Sequence, residues 1–260
     1  MDNAFRSLQS IMAPKLSIIT VTYNAERFIE PTILSVGAQN FSNREYIVVD
    51  GSSKDGTVDL LKKYPEIVTR WISEKDAGLY DAMNKAIMLA QGEYIMFLNA
   101  GDLFFDDEVL EDVFRLAGDA DMIYGDTAII DTNYDMVGMR HMRPPAKLNW
   151  KSFKKGMVVC HQAILAKRSM VPFYDLNYRV AADIDWAIRL SKSAKSFYFY
   201  DEPLVRFMQD GISTLNRSQG LKERYKIQSH HYGPVPTLLN TLWLGIKYVF
   251  SLRFISNVRK

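Results

Sequence analysis

Short, nearly unbroken apolar runs alternating with amphipathic segments constrain this chain more than any other feature of its sequence. Leu16–Tyr23 (LSIITVTY), Tyr46–Asp50 (YIVVD) and Tyr94–Leu98 (YIMFL) are rich in β-branched and aromatic residues, and Ile67–Ile72 is a weaker run of the same kind. Such runs suit the interior of a parallel sheet covered on both faces, since a sheet with one wet face would show alternation. Helical periodicity fills the intervals, over Glu26–Ala38, Thr57–Tyr64 and Leu79–Ala90. Alternation of this kind through residue 116 predicts an α/β fold with a Rossmann-like, doubly wound, mostly parallel sheet.

Beyond residue 117 the pattern is mixed. Asp121–Ile130, Met157–Leu165 and Ser196–Tyr200 read as strands. Asp183–Lys192 reads as a helix with Asp183 as a candidate N-cap, and Thr237–Ile255 as an apolar C-terminal helix. A chain of 260 residues without repeats or long linkers is one large domain with an appendage. The expected divisions are an N-terminal extension (1–13), a first half (14–116), a second half of the same domain (117–220) and a tail (221–260).

Charge separates the tail from the rest. The formal net charge is +2, yet residues 221–260 hold seven bases against the single acid Glu223, so a mildly acidic body carries a basic, apolar tail. That is a poor pattern for nucleic acid and a fair one for an anionic membrane surface. Two readings of the tail helix stand open: it lies in a membrane plane, or it packs on the domain or on a second copy. Residues 1–13 contain Asp2 and Arg6 and no long apolar run, which does not read as a secretory signal, and no uncharged apolar stretch is long enough to predict a span. The lone Cys160 excludes an internal disulfide framework and fits a reducing compartment. The expected location is cytoplasmic, peripheral at the inner face of the plasma membrane.

Ligands of open α/β sheets sit at the carboxyl ends of the strands. Here those ends carry Thr22-Tyr23-Asn24, then Asp50-Gly51-Ser52-Ser53-Lys54-Asp55-Gly56-Thr57, then Asn99-Ala100-Gly101-Asp102. Together they suit a nucleotide. Tyr23 can stack on a base, Asp50 can accept from a base N–H or a ribose hydroxyl, and Asp102 can hold a hard divalent cation against a diphosphate. The bland alternatives are turn pairs at Asp50-Gly51 and Asp55-Gly56, and Asp102 as the cap of a helix over Phe105–Leu116. Other chemistries drop out. Thr57 stands where a phosphate-binding loop needs Lys, and there is no Gly-x-Ser-x-Gly, no His-x-x-x-His and no Gly-x-Gly-x-x-Gly after the first strand.

LSIITVTYN, YIVVDGSSKDGT, SEKDAGLYDAMNKAI and GEYIMFLNAGDLF resemble, in order and spacing, the inverting family 2 glycosyltransferases, and CHQAIL and VAADIDWAIRL extend the likeness more weakly. Within that family the chain looks most like bacterial enzymes of surface-polysaccharide assembly. The resemblance implies the A-type glycosyltransferase fold, a nucleotide-diphospho-sugar donor (commonly a UDP-sugar), Mg²⁺ or Mn²⁺, and a glycan or lipid-linked acceptor. It implies donor contacts from Thr22, Tyr23, Asn24, Asp50, Asp81, Asn84, Asn99 and Asp102. Asp102 is the one carboxylate left where the family commonly has an Asp-x-Asp metal motif, because Asn99 and Gly101 occupy the two acidic places. It also implies a catalytic base at Asp183, with Asp185 in reserve.

Some of these positions have ordinary readings beside the functional one. Asp81 and Lys85, spaced i,i+4, make a helix ion pair. His161 and Gln162 are acceptor-side candidates, and the alternative for His161 is a half-buried packed side chain. Oligomeric state stays open. Two other functions remain: a non-catalytic, membrane-associated nucleotide-sugar-binding scaffold, and a sugar-phosphate nucleotidyltransferase, whose Gly-rich loop with an Arg after the first strand is missing here.

Overall fold

The structure, a computed structural model, describes residues 13–209 and 217–242. Strands β1 (Leu16–Thr22), β2 (Arg44–Asp50), β3 (Arg70–Ser73) and β4 (Tyr94–Phe97) are mutually parallel. Helices α1 (Glu26–Ala38), α2 (Thr57–Lys63) and α3 (Leu79–Leu89) connect them. From β1 the chain steps outward to β2 and β3, then returns to place β4 on the other side of β1. The connections diverge between β1 and β4, the place above the strand ends where ligands of such sheets bind. β1 is buried along its whole length, as its unbroken apolar run requires. On α1, Ile29, Thr32, Ile33 and Val36 form the inward stripe.

The second half contributes β5 (Leu103–Phe104), α4 (Val109–Leu116), β6 (Met122–Ile130), β7 (Met136–Met139), β8 (Ile164–Lys167), α5 (Ala182–Ser193), β9 (Phe197–Met208) and α6 (Arg217–Tyr232). The sheet order is β3-β2-β1-β4-β8-β6-β9-β5, with β7 paired to β6. β8 enters antiparallel between β4 and β6, and β9 runs parallel to β6. The sheet is therefore mostly parallel, as the sequence predicts, with antiparallel members confined to β5, β7 and β8.

Four expectations need correction. The predicted strand Met157–Leu165 is a strand only from Ile164. β4 ends at Phe97, and Met96 pairs with Leu165, so residues before Ile164 run past the carboxyl end of β4, and the pairing with β6 stops at Tyr124–Ile164. There His161–Ala163 forms a 3₁₀ turn. Ser196–Tyr200 extends to Met208, because the parallel ladder with β6 continues through a register shift at Gly125–Thr127. Asp102 caps no helix; α4 starts at Val109, and Asp106 Oδ1 accepts from the N–H groups of Glu108 (2.9 Å) and Val109 (3.0 Å). Asp183 is not the N-cap of α5, a place taken by Ala181; it sits in the first turn.

An aromatic stack ties the layers near the end of β4. Tyr174 lies between Tyr80 (5.2 Å between centroids) and Trp186 (5.3 Å), and Phe97 meets Tyr174 and Trp186 edge-on. This couples α3, α5 and the loop before it to the end of β4. The predicted C-terminal helix is helical over the described 234–242, and its remainder lies outside the described residues.

Candidate active site

The parallel register sets the first wall. Thr22 pairs with Asp50 and Asp50 with Ser73, so three strands end in one row. Asp50, fully buried, accepts from Ser53 N (2.9 Å), Ser73 Oγ (2.6 Å) and Ser53 Oγ. It is the hub of the turn after β2, with three of about four acceptor positions used. Asn24, at φ +49°, donates its N–H to Ser53 Oγ (2.8 Å) and accepts from Lys54 N (2.8 Å), which stitches the first loop to the second. Thr22 Oγ1 is buried without a partner.

Tyr23 projects from this wall, 63 % exposed. A Cβ built on Gly51 would lie 2.6 Å from Asp76 Oδ2 and 3.3 Å from the Tyr23 ring. Gly51 is thus the narrow floor between an aromatic face and a carboxylate. Asp76 is not among the residues singled out from the resemblance. The Asp-Ala-Gly turn after β3 was the available signal, since Asp76 Oδ1 accepts from Gly78 N (2.9 Å) just before α3 begins.

α3 braces the floor. Asp81 Oδ2 accepts from Ala77 N (3.0 Å) and lies 3.7 Å from Lys85 Nζ, whose nearer partner is Glu74 (2.7 Å). Asn84 grips the backbone of Tyr174 in both directions, Nδ2 donating to its carbonyl (3.0 Å) and Oδ1 accepting its N–H (2.7 Å). Both side chains already have protein partners.

The end of β4 leads to Asp102, 3 % exposed. Its Oδ1 accepts from Met208 N (3.0 Å) and its Oδ2 from Gln162 Nε2 (3.0 Å). Burial outweighs these bonds and pushes the carboxyl up to about 7. Asn99 Oδ1 is buried with no partner. Gly101 has φ +99°, and a Cβ there would meet Met208 Sδ at 3.0 Å. A carboxylate in the middle of this motif is therefore disfavoured by both backbone and packing. Among the described residues no group of three or more His, Cys, Asp or Glu is disposed to hold an ion.

The 3₁₀ turn before β8 joins this wall to the opposite one. Gln162 faces Asp102, while the neighbouring His161 places Nδ1 3.9 Å from Asp183 Oδ2. His161 is 8 % exposed; burial, with the Arg140 charge, drops its pKa to about 4 and leaves it neutral near pH 7. Its Nε2 has no partner. Asp183 keeps 23 % of its side chain exposed. Its Oδ1 accepts from Ile184 N (2.9 Å) and lies 3.5 Å from Tyr80 Oη. Burial raises its pKa to about 6 against those contacts and the nearby Arg140. Asp185 leaves the same helix differently. It binds Arg189 Nε (2.6 Å) and His231 Nε2 (2.8 Å), and these bonds outweigh burial and keep it below the ordinary carboxylate range.

A sequence profile of glycosyl transferase family 2 matches residues 17–171. A "PGL/p-HBAD biosynthesis glycosyltransferase" of Mycobacterium tuberculosis is 32% identical over 219 residues, 80% of this chain and 79% of that protein. The "putative teichuronic acid biosynthesis glycosyltransferase TuaG" of Bacillus subtilis is 27% identical over 251 residues, 90% of this chain and 94% of that one. Among solved structures, residues 1–349 of S. aureus TarS with UDP-GlcNAc superpose with TM-score 0.67 at 18% identity, over 82% of this chain but only 64% of that one. The mannosyltransferase PcManGT of Pyrobaculum calidifontis with GDP-Man and Mn²⁺ gives 0.61 at 16% identity, over 92% and 76%.

Proposed function

The chain belongs to glycosyl transferase family 2, and on that premise we propose that it moves a sugar from a nucleotide-diphospho-sugar, a UDP-sugar, to a hydroxyl of a glycan or lipid-linked acceptor in polysaccharide assembly, with inversion. The observation that carries this reading is the 161–162 turn. Consecutive residues reach Asp102 (Gln162, 3.0 Å) and approach Asp183 (His161, 3.9 Å), which supports reading the first as the donor-side and the second as the acceptor-side carboxylate of one site. Tyr23, Gly51 and Asp76 would receive the nucleoside at the strand ends, with Thr22, Asn24 and Asp50 shaping the wall behind it.

Asp183 takes the proton of the acceptor hydroxyl as its oxygen attacks the anomeric carbon. The bond from that carbon to the diphosphate breaks on the opposite face, and the nucleoside diphosphate leaves with the electron pair. A base with a pKa of about 6 is ionised at neutral pH yet remains a competent acceptor. Neutral His161 packs beside it and removes no charge from it. Asp185, committed to Arg189 and His231, serves as the anchor of the helix instead of as the base.

A divalent cation, Mg²⁺ or Mn²⁺, fits as an ion brought in by the donor. The buried, unpartnered Asn99 Oδ1 and the Asp102 carboxylate, once released from Gln162 or Met208 N, would be the hard oxygens offered to an ion held mainly by phosphate and water. When bound it supplies positive charge against the departing diphosphate.

A lipid-linked acceptor suits the placement of the tail. Over 234–242 the polar side faces the protein: Thr237 is 2 % exposed and Asn240 Nδ2 donates to Lys154 O (2.6 Å). Val235, Leu238, Leu239 and Leu242, spaced i, i+3, i+4, i+7, are exposed on the other side. Seven bases accompany this stripe in residues 221–260, so an anionic membrane surface is the occupant we assign to it. Among the described residues no helix is long and apolar enough to cross a membrane.

The deciding experiment is Asp183→Asn, assayed for transfer and for UDP affinity by calorimetry. Transfer should fall about 10²–10⁴-fold, the usual worth of a positioned base, with UDP binding unchanged. Near-full transfer at normal UDP affinity would remove Asp183 from the mechanism.

A further inference from the structure

α5 carries Asp183 but has no capping side chain at its N-cap, which is Ala181, although Asp183 Oδ1 accepts from the adjacent Ile184 N within the first turn. Helix starts leave several N–H groups unsatisfied, and a carboxylate is the favoured partner for them. Here the carboxylate arrives from α6. Glu223 Oε1 accepts from Arg179 N (3.0 Å), and its Oε2 accepts from Val180 N (2.8 Å) and Ala181 N (3.0 Å). Gln219 Nε2, one turn earlier on α6, holds Oε1 at 2.9 Å.

Two further contacts make this a fixed point. Tyr80 Oη donates to the carbonyl of Val180 (2.9 Å), so the same peptide segment is clamped from α3, and that hydroxyl lies 3.5 Å from Asp183 Oδ1. The next residue, Arg224, donates to Lys155 O (2.6 Å) against the Cβ-free face of Gly156, at φ +121°. α6 is therefore anchored on both sides of Glu223. Burial works against the Glu223 charge, but its four donors prevail and hold it below the ordinary carboxylate range.

We propose that Glu223 is a positioning residue for sugar transfer: from α6 it fixes backbone 179–181 and thereby the direction in which Asp183 leaves α5 toward the acceptor. The only acid of the basic tail thus belongs to the geometry of the reaction. This rests on the reading of Asp183 as the base.

The test uses the full chain with Glu223→Ala and the milder Glu223→Gln, which keeps one acceptor oxygen. Three quantities are measured: UDP affinity by calorimetry, the titration of the Asp183 carboxyl by carbon NMR (its resonance identified by its loss in Asp183→Asn), and UDP release from whichever of UDP-glucose, UDP-galactose and UDP-N-acetylglucosamine the unmodified protein turns over fastest. UDP affinity should stay within about twofold, since its wall is built from other strands. kcat should fall about 10–100-fold in Glu223→Ala, the scale of a misplacement near 1 Å, with KM for the donor little changed, and Glu223→Gln should fall between. The Asp183 titration, near 6 in the unmodified protein, should move down toward an ordinary carboxylate as the helix start opens to water. In an Asp183→Asn background, Glu223→Ala should cost nothing further.

Unchanged kcat and an unchanged Asp183 titration in Glu223→Ala would overturn the inference. So would a loss of rate that merely tracks the fraction of protein still able to bind UDP. Failure of the underlying reading looks different: Asp183→Asn would itself keep its rate, whatever Glu223 does.

Discussion

Gln162 and Asp102, sixty residues apart, meet in one hydrogen bond of 3.0 Å, Nε2 donating to Oδ2. The bond exists because β8 runs antiparallel to β4, which brings the residues preceding β8 over the end of β4. With Met208 N on its other oxygen, Asp102 is held from β9 as well. Replacing Gln162 by Ala leaves a buried carboxylate oxygen without its donor. The expected cost is about 1–3 kcal/mol, read as a lower urea midpoint at pH 8, where Asp102 is ionised.

Asp183 and Asp102 both have folded pKa values above the ordinary one, about 6 and about 7. Between pH 4 and 7 these two groups hold more protons in the folded state than in the unfolded chain. Their contribution to stability falls as pH rises through this window, opposite in sign to that of Asp185, Glu223 and His161, and Asp183→Asn should remove the part below about pH 6. Thermal melts at pH 4.5, 5.5, 6.5 and 7.5 check it; equal slopes in the two proteins would contradict the burial of Asp183.

The same group sets the acid limb of turnover. kcat should drop tenfold per unit of pH below about 6, as the base becomes protonated. His161, with a pKa near 4, should add no inflection at the usual histidine value, and His161→Gln should leave the limb in place.

Gly51→Ala tests the donor floor. Its Cβ would press on Asp76 Oδ2 and the Tyr23 ring, so UDP affinity should fall at least about tenfold, or about 1.4 kcal/mol. The melting temperature should change little, because Tyr23 is exposed and free to move aside. Calorimetry and a thermal melt on one sample separate the two.

Gly101→Asp restores the acid that the resemblance leads one to expect. Here it would meet φ +99° and Met208, at a cost of about 1–3 kcal/mol. A lower melting temperature without tighter Mn²⁺ binding is the expected result.

The parallel half was legible because its strands are buried on both faces and print their character as continuous apolar runs; β1, β2 and β4 fall within a residue or two of where the letters put them. β5 and β7 carry no such print, being two and four residues long. β8 misled because an apolar run does not say where its partner stops. Chemistry and strand end coincide at Tyr23, Asp50 and Asp102, which is what made them candidates for the proposed site. No such coincidence marks Glu223, which local charge counting assigns to a basic tail, and whose bonds to 179–181 cross more than forty residues of chain. Asp76 was visible only as one of several polar residues near the start of a helix, since nothing in sequence brings it beside Gly51.

The flush row of Thr22, Asp50 and Ser73 has an engineering corollary. A rim cut level by three paired strands lets the segments above it be shortened, lengthened or exchanged without shifting the scaffold. Swapping those segments between relatives is thus a route to new sugar preferences, so long as Ser53 is kept as the partner of buried Asp50.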